Sequence, residues 1–133
     1  MTPNCPERPF EDALLKLAIT LGWRVHAERP APSRRDGDEG FRTHIKGHRG
    51  FPDIVLAHPD HGLIVAELKT ARGRLGPGQQ EWQDDLVPLD RPGSKVLIEL
   101  WRPADWSAIE LALTEGFDAY RTRYRKPPND PVA

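Results

Sequence analysis

Cysteine is nearly absent from this chain. Cys5 is the only one in 133 residues, which excludes an internal disulfide, a CxxC redox centre and a cysteine-held zinc or iron–sulfur site. Long apolar runs are missing too. None approaches the roughly 20 residues of a membrane span, and the opening Met-Thr-Pro-Asn-Cys-Pro-Glu-Arg lacks the apolar stretch of a secretory signal. A cytoplasmic chain without membrane attachment is expected. The net charge of −1 shows no excess of either sign, yet the charge is unevenly spread. Arg24 to Gly50 holds seven Arg/Lys against four Asp/Glu, and Glu81 to Asp118 holds nine acids against three bases. An anion-facing surface should therefore involve the first segment and the Lys69, Arg72 and Arg74 run, with Arg121, Arg123, Arg125 and Lys126 as further candidates.

The length, 133 residues and 15.0 kDa, suits one domain with one core. The spacing of Phe10, Leu14, Leu17, Ala18 and Leu21 predicts an amphipathic helix over 10–21, with Pro9 in its first turn and Gly22 as its stop. Glu11 sits at the margin of that stripe, where it can face either the sheet or water. Trp23 to Ala27 is a strand candidate. Glu28 to Gly40, rich in Pro, Arg, Asp and Gly, reads as a surface loop, and Phe41 to Lys46 as a second short strand. His44 and His48 are four apart, but Gly47 and Gly50 argue against a helix that would align them on a metal. Pro77 opens a helix to about Leu86, with Gln79, Trp82, Gln83 and Leu86 on one face. On that face Trp82 is first a core residue and second a base-stacking platform. Lys95 to Trp101 is a further strand, and a helix after Pro103 carries Trp106, Ile109, Ala112 and Leu113 inward, with Gly116 as its stop. The core is expected over about 8–117, followed by a basic, Pro-rich tail over 118–133.

The most informative stretch is 50–69. Two apolar runs, Ile54 to Ala57 and Leu63 to Leu68, flank the turn formers His58-Pro59-Asp60-His61-Gly62, which predicts a β-hairpin. If His58 faces Gly62, paired residues share a constant index sum and Asp53 falls opposite Glu67. Alternation then puts Lys69 on the face of Glu67. A second Pro-Asp pair, Pro59-Asp60, belongs to the turn. The second strand is apolar on both faces, as buried strands are. Two carboxylates facing each other at its end repel, and desolvation adds a penalty on the order of several kcal/mol per ion. A divalent cation resolves this, and oxygen-only ligands suit Mg²⁺ or Mn²⁺.

These residues also match a known pattern. Gly50-x-Pro52-Asp53, then Glu67-x-Lys69 at the end of the next strand, resembles the PD-(D/E)xK nuclease superfamily. Gly73-x-Leu75-Gly76-Pro77-Gly78-Gln79-x-x-Trp82 and Trp101-Arg102-Pro103-x-Asp105-Trp106 are similar to its VRR-NUC branch, small stand-alone phage or bacterial nucleases. The resemblance runs from about Glu11 to about Leu113. It implies a restriction-endonuclease-like α/β fold, a mixed sheet with a central hairpin flanked by helices. It implies a metal held by Asp53, Glu67 and the Leu68 backbone carbonyl, with Glu11 completing the site. Lys69 would orient or deprotonate the attacking water or steady the phosphate, and Gln79 would orient the site.

The activity so implied is Mg²⁺- or Mn²⁺-dependent endonucleolytic hydrolysis of DNA without an organic cofactor. Members of the family act on branched DNA such as Holliday junctions, often as homodimers, so branched or duplex DNA and a homodimer are the expected partners. Arg42, Lys46, Arg49, Arg72 and Arg74 are the expected DNA-binding residues. Two alternatives stay open: a DNA-binding module that does not cleave, and a phage accessory protein that contacts other proteins.

Overall fold

The computed structural model describes residues 1–28, 31–32, 41–42 and 45–125, the two short pairs by their backbone alone. Helix α1 (Glu7–Thr20) buries Phe10, Leu14 and Ala18. It begins a turn before the apolar spacing predicts, with Pro6 as N-cap and Pro9 within the first turn. Proline costs nothing there, because first-turn N–H groups have no helical partner. The predicted stop is correct. Gly22 takes φ 90°, and the N–H groups of Trp23 and Gly22 donate to the carbonyls of Ala18 and Ile19 at 2.9 and 3.0 Å, a left-handed C-terminal cap.

The main sheet contains β1 (Arg24–Ala27), β4 (Ile54–His58), β5 (Gly62–Leu68) and β6 (Val96–Trp101), in the order β1-β4-β5-β6. Antiparallel β4 and β5 form the predicted hairpin at its centre, with Ile54 paired to Ala66 and His58 to Gly62. β6 runs parallel to β5, a pairing that requires the crossover supplied by α2 (Pro77–Leu86) and the 3₁₀ turn Val87–Leu89. The expected mixed sheet with a central hairpin and flanking helices is the fold observed. A second, two-stranded ladder pairs β2 (Ala31–Pro32) with β3 (Phe41–Arg42). The reading of 28–40 as loop throughout and of 41–46 as one strand is corrected accordingly. Two residues carry no periodicity that could reveal a strand.

One sheet face holds Ile54, Leu56, Ile64, Ala66, Leu68, Leu97 and Trp101, all buried. It packs against α1, α3 (Trp106–Thr114) and α4 (Phe117–Tyr124). Each such large apolar side chain contributes about 1.5–3 kcal/mol by leaving water. α3 follows the 3₁₀ turn Pro103–Asp105 and buries Ala108, Ile109, Ala112 and Leu113, whereas Trp106 is only partly buried, edge-on to Phe10. Among the described residues no helix is long and apolar enough to cross a membrane.

α4 carries packed structure past the expected core boundary at 117, into the stretch read as a basic tail. Phe117 and Tyr120 are buried, and the Tyr120 hydroxyl accepts from Trp101 Nε1 at 3.2 Å. Arg121 donates from Nε to Asp90 Oδ1 at 2.9 Å, and Arg125 is paired with Asp90 and Glu99. These two arginines are internal ties and not part of a phosphate-facing surface. The packed structure extends to residue 125, while the Lys126 and Pro127-Pro128-Asn129-Asp130-Pro131 readings fall outside the described residues. His44, whose four-residue spacing from His48 was weighed and set aside as a metal pair, likewise falls outside them.

Candidate active site

Asp53 lies just before β4 and Glu67 one residue before the end of β5. The observed pairing keeps the predicted index sum, because Ile54 pairs with Ala66, so the register continues to Asp53 opposite Glu67. Where the main-chain ladder ends, Asp53 Oδ2 accepts from the Leu68 N–H at 2.8 Å. Glu67 is 2% exposed. Its Oε1 accepts from Gln79 Nε2 at 2.9 Å and lies 3.9 Å from Lys69 Nζ. Its Oε2 is buried with no hydrogen-bond partner.

Gln79 reaches the site because α2 starts at Pro77. Its Oε1 accepts from the Gly76 N–H at 2.8 Å, an N-terminal cap that leaves the amide nitrogen directed at Glu67. Lys69 lies beyond β5, its N–H held by the Trp101 carbonyl at 3.0 Å. The loop that follows is clasped by Arg102, whose Nη1 donates to the carbonyls of Thr70 and Gly73 at 2.6 and 2.8 Å. A Cβ on Gly73 would come within 3.3 Å of Lys69 Cδ, so the loop lies directly against the lysine stem.

Burial pushes the Glu67 carboxyl up to about 8, reinforced by repulsion from the Asp53 carboxylate and from Glu7 and opposed by Lys69. Glu7 is raised as well, by partial burial first and by Asp53 second, against the pull of Lys69. An orphaned buried oxygen and two crowded carboxylates are what a hard divalent cation would satisfy, and an all-oxygen donor set fits Mg²⁺ or Mn²⁺. Among the described residues no group of three or more His, Cys, Asp or Glu side chains is arranged to hold a metal. Further ligands would have to come from backbone, water or substrate.

Comparison with models of protein families finds no match, and comparison with curated proteins finds none. Among solved structures the chain is similar to one described as a VRR_NUC domain. The identity is 14% and the TM-score 0.48, over 84% of this chain and 97% of that one.

The remaining candidates divide. Lys46, Arg49, Arg72 and Arg74 are exposed, and the side chain of Arg42 lies outside the described residues. Glu11 is half-buried on α1, one turn beyond Glu7 and on the same helix face. Glu7 itself was missed from the sequence, since the helix start was placed after it. Its only signal was an acid four residues before Glu11. Arg102, part of the matched Trp-Arg-Pro motif, is the clasp of the 70–73 loop. Trp82 is half-buried and packs edge-on against Phe51 at 4.9 Å, so it is not the core residue first expected. Asp60 sits in the hairpin turn, exposed, as its position predicted.

Proposed function

We propose that this chain is a metal-dependent endonuclease that hydrolyses phosphodiester bonds in DNA at the corner formed by Asp53, Glu67 and Lys69. The observation that carries the reading is the buried, unpartnered Oε2 of Glu67 beside Asp53. A fold has no structural use for two crowded acids on one side of a strand end. Asp53, Glu67 and the Leu68 carbonyl would hold Mg²⁺ or Mn²⁺, with water and substrate oxygens completing the shell and Glu7 of α1 adding negative charge beside it. When bound, such an ion supplies polarisation of the phosphate and acidification of water.

The chain's own residues do the rest. Gln79 fixes the Glu67 carboxylate. Lys69, whose ammonium lies 3.9 Å from Glu67 Oε1, would orient or deprotonate the attacking water or steady charge growing on the phosphate. Arg72 and Arg74 from the clasped loop, and Arg42, Lys46 and Arg49 from the segment before Asp53, would carry the phosphates on either side. The sequence resemblance adds branched DNA as a substrate class and a homodimer as the working unit.

The test is gel-resolved cleavage of linear duplex, flap and four-way-junction DNA with Mg²⁺ or Mn²⁺, comparing the wild type with Asp53→Ala. Cleavage by the wild type alone is expected. Equal cleavage by both, or none by either, would overturn the reading.

A further inference from the structure

We infer that the exposed ring of Phe51, backed by Trp82, is a stacking platform for an unpaired nucleobase next to the phosphate at the Asp53–Glu67 corner. The inference deepens the proposed function and rests on it. Phe51 is 48% exposed, an unusual position for a phenylalanine that stands two residues before a site carboxylate. Its ring meets Trp82 at 4.9 Å and 89°, and Trp82 is itself fixed by donating from Nε1 to the His48 carbonyl at 3.3 Å.

The backbone beneath is rigid. Gly50 takes φ 92° and sits so close to α2 that a Cβ there would lie 2.4 Å from the Gly78 carbonyl carbon and 2.5 Å from the Gln79 nitrogen. A Cβ on Gly78 would lie 2.9 Å from the Arg49 carbonyl oxygen. Both rings are therefore coupled to the acids by short paths. Phe51 leads through Pro52 to Asp53, and Trp82 is on the helix whose Gln79 holds Glu67.

Location and charge select the occupant. Two extended residues span about 7 Å, so a base on Phe51 and a phosphate at Asp53 can belong to neighbouring parts of one strand. Lys46 and Arg49 are exposed on the segment leading to Phe51 and favour phosphate there. Glu81 and Asp85 line the α2 wall of a recess of about 200 Å³ beside Trp82, opposite His48 and Arg49, and repel phosphate from that wall, which steers the backbone to the 46–49 segment and the base onto the rings. A preset ring loses little entropy on stacking, and any base offers a face to it, provided the base is not already stacked within a duplex. The substrate class is DNA with an unpaired nucleotide beside the scissile bond.

The experiment measures binding without divalent metal, so that it does not depend on catalysis. The probe is a fluorescein-labelled duplex with a single-stranded extension, paired with a copy carrying abasic residues throughout that extension. Removing the bases should weaken wild-type binding about 5- to 150-fold. Phe51→Ala should show the same loss on the base-bearing DNA and no further loss on the abasic copy, with Phe51→Trp restoring the difference. Melting temperature checks that Phe51→Ala is folded. Equal wild-type affinity for the two DNAs overturns the platform, and is the outcome expected if the rings receive an apolar side chain of a protein partner. So does a Phe51→Ala loss that is the same on both. Wild-type cleavage assayed separately with Mg²⁺ shows whether the parent reading stands when the platform fails.

Discussion

The side-chain amide of Gln79 joins the start of α2 to Glu67: its oxygen accepts from Gly76 at 2.8 Å and its nitrogen donates to Glu67 Oε1 at 2.9 Å. Gln79→Ala removes the cap and leaves Glu67 with no side-chain donor but Lys69. Stability should fall by about 1–3 kcal/mol and Mn²⁺ affinity by roughly 10- to 100-fold, the usual effect of losing a residue that orients a ligand. Denaturant unfolding and titration calorimetry measure the two. Unchanged Mn²⁺ affinity would remove Gln79 from the site.

Glu67 gives a pH signature in metal-free protein. Because its folded pKa lies above the unfolded value, the folded state holds a proton that the unfolded state gives up. Stability is thus lost as pH rises from about 4.5 to about 8 and the penalty is constant above that. Glu67→Gln, which cannot ionise, should be more stable than wild type by on the order of 2–4 kcal/mol at pH 9, with the difference vanishing near pH 4. Melts in chelator across that range test it. A variant no more stable than wild type at pH 9 would mean that burial and the neighbouring acid do not raise the Glu67 pKa.

Lys69→Met should lower the cleavage rate by about 10²- to 10⁴-fold while leaving Mn²⁺ binding in place, whereas Asp53→Ala should lose both. Single-turnover kinetics beside calorimetry distinguish the two defects.

Arg102 acts on this lysine at one remove, through the Thr70 and Gly73 carbonyls. Arg102→Ala should slow the chemical step about 10-fold with little change in KM, by loosening the loop against the Lys69 stem. In a Lys69→Met background it should have almost no effect on rate. Additive losses in the double variant would show that Arg102 is merely structural.

At the far end of the sheet, Asp90 is 2% exposed at its side chain and bound by Arg121 and Arg125. Burial works to raise its pKa, but hydrogen bonds from Arg125, the Ile98 N–H and Arg121 prevail and hold it below the ordinary value. The resulting stability is complete above the unfolded pKa and lost as pH falls through the depressed one. Asp90→Ala should cost about 3–5 kcal/mol by stranding two arginines, and truncation after Gly116 should unfold the protein. A truncated chain that melts like wild type would refute the role given to α4.

The sheet and the acid corner were legible because they follow from alternation. Ile54, Leu56, Ile64, Ala66 and Leu68 declare one face, the turn formers fix the pairing, and Asp53 and Glu67 then face each other with no freedom left. Gln79 was legible because a helix that starts at a proline has a known phase. α4 was not. Its buried residues are Phe117 and Tyr120 only, and what secures it is a pair of arginines reaching Asp90 and Glu99, acids that lie far away in the sequence and resemble any surface charges. Arg102 was obscured in the same way, since its partners are carbonyl oxygens, which every residue has. Glu7 was lost to a helix boundary set by its first apolar residue rather than by its proline cap.

The hairpin also has a thermodynamic consequence. The aliphatic side of β4 and β5 is locked into the core, so the opposite side is compelled to bring its two acids together before any ion arrives, with the apolar contacts bearing their repulsion. Any cation affinity at this corner would thus be partly an output of hydrophobic packing. Trimming a methylene from Leu56 or Ile64, on the opposite face from both acids, should relax the corner and weaken any Mn²⁺ binding there.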